Sequence, residues 1–182
     1  MPFTSLLLTA LVPEGKIKEK GVRVKVSPLP KQDGIYLLFK ADGTDFQNKC
    51  LKKIKKENSK CCDVICFALQ KSSDSKNEWK TIILLVELKG GNRDQVSTAS
   101  KQILETRELL ETGIKECIGD EGLNNITWEA LIISKSGLSM NDVKKCEYYR
   151  QMYDKFKKAD YKVTNNVVDL VQYINEKNRN TA

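Results

Sequence analysis

A chain of 182 residues, 40% hydrophobic and 30% charged, has the composition of an ordinary soluble globular protein and is long enough to bury about 70% of the surface it would expose unfolded. With 31 Lys and Arg against 24 Asp and Glu the formal charge is +7, which favours polyanionic partners, nucleic acid first among them. The chain contains no histidine, which excludes Cys/His zinc sites and every hydrolytic mechanism that needs an imidazole. Carboxylates, lysines, hydroxyls and hard metal ions are left to carry any chemistry.

In chain order, the apolar run of residues 3–12 is too short to span a bilayer, has no basic segment before it and is broken by Pro13, so it reads as part of the fold. Val22, Val24 and Val26 alternate with Arg23 and Lys25, the period of a half-buried strand over residues 21–27 that Pro28 and Pro30 end. Residues 34–40 (GIYLLFK) form a second strand, followed by Asp-Gly turn chemistry and a lysine-rich stretch that is either a short helix or a loop. Residues 63–69 (DVICFAL) and 81–89 (TIILLVELK) are the strongest strand signals, and the polar run between them makes them a hairpin.

Gly90 and Gly91 stop that strand, and a helix follows with Val96, Ala99, Ile103 and Leu110 on one face. The near-continuous apolar run of residues 128–134 predicts a strand buried on both faces. Ser139, with Asp142 at the capping-box spacing, opens a helix to about residue 158. A short strand over 161–164, a helix over 167–175 and a polar tail over 176–182 complete the reading. Residues 1–182 are thus expected to form a single α/β domain, a mixed β-sheet flanked by helices.

Three side-chain groupings bear on function. Cys61, Cys62 and Cys66 are the only close cysteines among six, match no zinc spacing, and read as free buried thiols in a reducing cytoplasm. Tyr149, Met152, Tyr153 and Phe156 fall at helical spacing and read as core, the alternative being a lysine-interleaved face that stacks bases. The third is Asp63 at the start of one hairpin strand and Glu87-Leu88-Lys89 at the end of the other. Alternation puts Glu87 and Lys89 on one side and Leu88 on the other, and antiparallel pairing brings Asp63 beside Glu87. Adjacent carboxylates repel, and a hard divalent cation relieves the repulsion; Mg2+ needs only one or two carboxylates and keeps waters that substrate phosphate oxygens can replace.

The run CDVICF, then VELKGGN, then a helix containing ASKQILET resembles the PD-(D/E)XK (restriction-endonuclease-like) nuclease superfamily, in particular its small bacterial and phage members. The resemblance spans roughly residues 61–106, with Cys62 where the signature often has proline. It implies a restriction-endonuclease-like core and metal-dependent hydrolysis of nucleic acid, DNA ahead of RNA; the cytoplasm is the location expected from the sequence, in which no targeting segment is read. Mg2+, with Mn2+ as a substitute, would be held by Asp63, Glu87 and the carbonyl of Leu88. Lys89 would serve the attacking water, and Gln102 would match the glutamine of the following helix. Lys52, Lys53, Lys55, Lys56 and Lys60, beside this segment, are the expected phosphate contacts. The earlier acid that many members carry has only Glu14, Glu57, Asp33 and Asp45 as candidates. Double-strand cleavage would call for a homodimer, no membrane contact is expected, and the alternative is an inactive nuclease-like module that binds nucleic acid or protein.

Overall fold

Ile82, Leu84, Val86 and Leu88 point to one side of a strand and Ile83 and Leu85 to the other, and all six are fully buried, so this strand must be covered on both faces. A computed structural model describes residues 11–27, 34–41, 60–71, 78–89 and 93–179 and provides that cover. The strands in chain order are β1 (Lys16–Glu19), β2 (Val22–Lys25), β3 (Gly34–Lys40), β4 (Val64–Lys71), β5 (Trp79–Lys89), β6 (Ile126–Ser134), β7 (Lys158–Val163) and β8 (Val168–Asp169). The helices are α1 (Arg93–Asn124), α2 (Met140–Lys144), α3 (Glu147–Lys155) and α4 (Leu170–Arg179).

Five strands form one mixed sheet in the order β3-β4-β5-β6-β7, antiparallel from β3 to β5 and parallel from β5 to β7. The fold class is therefore α/β, with a mixed sheet and helices. On one face Ile65, Ile83, Leu85, Ala130 and Ile132 pack with Val96, Ala99 and Ile103 of α1, Val143 of α2, and Tyr149 and Met152 of α3. On the other, Val64, Leu84, Val86, Leu88, Leu131 and Ile133 pack with Val22, Val24 and Val168 of a small sheet, order β1-β2-β8, and with Leu170 and Ile174 of α4.

The hairpin and β3 lie where the sequence places them, and β6 is an interior strand. Other boundaries differ. The chain from Ser139 onward forms two helices, because α2 ends after one turn and Cys146, buried, starts α3. Ser139 does cap α2: its hydroxyl accepts from Asp142 N–H at 3.2 Å and donates to Asp142 Oδ2 at 2.6 Å. Lys158 belongs to β7, not to a helix, and Val168–Asp169 pair in parallel with β2 before α4 runs on to Arg179, into the stretch read as polar tail. Strand β1 went unread and pairs antiparallel with β2. Their two-residue turn has positive φ at both positions, 49° at Lys20 and 82° at Gly21, as primed hairpin turns require. At a lysine that conformation costs about 1–2 kcal/mol.

Within α1, Gly119 breaks the helical path with φ 73° and ψ −179°. Tyr149, Met152 and Phe156 are core, but Tyr153, expected with them, is 59% exposed. Cys61, Cys62, Cys66 and Cys146 are buried free thiols, and Cys117 is an exposed one.

Leu84 sits at the centre of the five-stranded sheet with no exposure. Leu84→Ala is expected to lower the unfolding free energy by about 2–5 kcal/mol. Ile35→Ala, at a 55% exposed position near the start of edge strand β3, should change it by less than about 0.5 kcal/mol in the same urea titration.

Candidate functional site

The register of the hairpin decides what meets at its open end. Val64 pairs with Val86, so the residue before β4 faces the residue after Val86. Asp63 and Glu87 then lock each other through the backbone: Asp63 N–H donates to Glu87 Oε2 at 2.9 Å, and Leu88 N–H donates to Asp63 Oδ2 at 2.7 Å. Each carboxylate thus occupies one oxygen in ending the ladder beneath the other. Of the remaining two, Glu87 Oε1 meets the Lys89 ammonium in an ion pair, and Asp63 Oδ1 is buried with no hydrogen-bond partner. Both carboxylates have zero exposure and Lys89 only 9%.

The electrostatics follow from this crowding. Burial first, then the charge of Asp63, pushes the Glu87 carboxyl up to about 8, against the opposing pull of Lys89. The closeness of the two carboxyl groups acts in the same direction and favours the protonated form of Glu87 further. For Lys89, burial works most strongly and against the ammonium, but Glu87 beside it and Asp63 behind act together against burial, and the pKa is raised. The lysine is a firmly held cation.

A second set of contacts fixes the segment that carries Asp63. Gln102 and Thr106, four residues apart on α1, share a helix face. Gln102 Nε2 donates to the Cys61 carbonyl at 3.1 Å. Thr106 Oγ1 accepts from Cys62 N–H at 2.8 Å and donates to the Gln102 carbonyl at 2.7 Å. Gln102 therefore supports the backbone under Asp63, and its own Oε1 is buried without a hydrogen-bond partner. Thr106 escaped the sequence reading; the available signal was a hydroxyl one helical turn after Gln102, facing the same way. Ser134 escaped it too: it is buried and lies beside Lys89 in the β5–β6 register.

Leu88 turns its side chain to the opposite core and reaches the site through its N–H. The Cys62 thiol donates to Val64 O at 3.3 Å, and burial first, then Glu87, raises its pKa well above the usual range, so it stays a thiol. Lys60 is exposed immediately before the buried Cys61, whereas Lys52, Lys53, Lys55 and Lys56 lie outside the described residues, as do Glu57, Asp33 and Asp45. Glu14 is exposed in the turn before β1. Among the described residues, no group of three or more Cys, Asp or Glu side chains is arranged to hold a metal. Two carboxylates, a lysine and the backbone around Leu88 are the whole donor set seen there.

No protein-family model matches this chain, and no curated protein sequence matches it. Among the described residues no helix is long and apolar enough to cross a membrane.

Two measurements follow from the geometry. Glu87 titrates near 8 folded against an ordinary 4.5, so between those values the folded chain holds the extra proton and the unfolding free energy falls as pH rises. In EDTA, urea titrations from pH 5 to pH 9 should show that fall, and Glu87→Gln should flatten it; an equally steep fall in the variant would assign the proton elsewhere. Thr106→Val strands the Cys62 N–H and is expected to cost about 1–3 kcal/mol, with Thr106→Ser restoring most of it.

Proposed function

We propose that this chain is a Mg2+-dependent phosphodiesterase of the PD-(D/E)XK, restriction-endonuclease-like kind that hydrolyses nucleic acid, with DNA as its substrate. The observation that carries the reading is a buried carboxylate oxygen, Asp63 Oδ1, that has no donor and sits beside a second buried carboxylate whose negative charge is already strained. Nothing in ordinary packing calls for that pair, and a hard dication satisfies both groups at once. Asp63 and Glu87 would hold the ion, with the Leu88 carbonyl completing the protein's share.

Bound there, Mg2+ or Mn2+ supplies positive charge for phosphoryl oxygens and acidifies water. The chain's own groups do the rest. Lys89, kept charged by Glu87, is fixed next to the carboxylates and stabilises negative charge building on phosphorus while orienting the water that attacks it. Gln102 and Thr106 keep Asp63 from drifting, so the carboxylates do not reorganise as charge develops. The net charge of +7 supports a polyanionic substrate, and the free buried thiols fit a reducing cytoplasm.

A second reading is a nuclease-like module that binds nucleic acid or protein without cutting it, and it is favoured by the two-carboxylate donor set among the described residues. Labelled single- and double-stranded DNA incubated with Mg2+, Mn2+ or EDTA separates the two. Hydrolysis should require the metal, and Glu87→Ala and Lys89→Ala should each lower its rate about 100-fold or more. Binding of DNA without cleavage under any condition would select the inactive module. No cleavage together with no divalent binding by calorimetry would remove the nuclease reading altogether.

A further inference from the structure

The β1–β2 hairpin has no part in the carboxylate site, yet its tip reaches that end of the sheet. The Lys135 side chain, leaving β6 one residue past Ser134, crosses over Gly21: a Cβ placed on Gly21 would sit 3.4 Å from Lys135 Nζ. Ser134 is the register partner of Lys89, so the tip lies at the same strand ends as the candidate site. Lys20, the other tip residue, precedes Gly21 directly and so stands at the same turn that the Lys135 side chain crosses. Lys20 and Lys135 are both exposed. Two exposed lysines from separate segments thus meet at the tip, at the strand ends where Lys89 closes β5.

The backbone at the tip makes the arrangement more specific. Lys20 holds a left-handed conformation, φ 49°, at a position where glycine or asparagine would be free of strain. A side chain held in a strained conformation at an exposed turn is a place to look for a role in function. Like charges brought together repel, and a phosphate group lowers that repulsion by accepting from both.

Resting on the phosphodiesterase reading, we propose that the β1–β2 hairpin tip is a backbone-phosphate clamp. Lys20 and Lys135 hold the phosphate that flanks the one facing Asp63, Glu87 and Lys89. The ligand is then a polynucleotide strand that continues past the reacting bond, and an isolated nucleotide or small phosphoester engages only half of the surface. Because a lysine–phosphate contact reads no base, the clamp fixes register along the strand without sequence preference.

The test is the salt dependence of oligonucleotide binding, followed by fluorescence anisotropy in EDTA so that no cleavage intervenes. Each lysine that neutralises a phosphate contributes about 0.9 to the slope of log K against log salt on a duplex and about 0.7 on a single strand. Lys20→Ala and Lys135→Ala should each make the slope shallower by about that amount, the double variant by about twice it, and Lys20→Arg should keep it. Lys115→Ala, on the far half of α1 where Lys115 pairs with Asp120, should leave it unchanged. Lys20→Gly separates a binding role from a structural one: it relieves the left-handed strain, so the midpoint of thermal unfolding should rise while affinity falls. Slopes unchanged in Lys20→Ala and Lys135→Ala, or a native chain that binds no oligonucleotide, would overturn the clamp even if the chain cleaved DNA. Slopes that shorten as expected in a chain that cleaves nothing would keep the clamp and sink the hydrolytic reading.

Discussion

The structure turns on the reciprocal lock between Asp63 and Glu87, in which each carboxylate accepts a backbone N–H from the other's strand end. A sheet whose hairpin ends this way closes its ladder with side chains, and it does so with two negative charges where water has been removed. That arrangement is costly if both groups ionise without help. Three kinds of help are open to it: a proton on Glu87, the ammonium of Lys89, and a divalent ion. The first two are present in the chain itself, and under the proposed function a metal would have to displace or share them.

Everything around the lock keeps it dry and still. Strand β5 is sealed by α1, α2 and α3 on one face and by the small sheet and α4 on the other, and its only charged residues in the buried stretch come at its end. Gln102 and Thr106 act on the same segment from the helix side, holding the single Cys61–Cys62 peptide group by its carbonyl and its N–H. Unfastening either would let the strand start move relative to Glu87, and the carboxylate spacing would no longer be set by the sheet register.

How much of this was legible depended on length of pattern. The β4–β5 hairpin, β3 and β6 announced themselves because long apolar or alternating runs leave few alternatives, and the meeting of Asp63 with Glu87 followed from antiparallel pairing alone. Strand β1 (KIKE) and strand β8 (VD) are too short and too polar to carry a period; they exist because Ile17 and Val168 find a core made by other segments. The break between α2 and α3 falls at Lys145 and Cys146, where neither proline nor glycine marks it, and burial of Cys146 rather than local propensity decides it. Thr106 and the hairpin tip were invisible for a related reason, since their contacts span 44 residues in one case and join separate sheets in the other.

A Glu–Lys pair at the end of a strand is a weak signal by itself, and this fold contains its own comparison. Glu129 on β6 is fully buried and lies opposite Lys158 on β7, with Nζ 3.8 Å from Oε1. There burial, aided by Lys157 and Lys80, outweighs the attraction of Glu129, and the Lys158 ammonium is pushed down. At Lys89 the balance runs the other way: the ammonium faces Glu87 and Asp63 together, and its pKa rises despite burial. The two pairs share residue types and burial; Lys89 lies closer to its glutamate and has Asp63 behind it, whereas Lys158 also faces Lys157 and Lys80. Asp63 turns an ion pair that could close on itself into a three-group cluster, and under the proposed function that third group, more than the Glu-X-Lys spacing, is what would give a divalent cation a place there.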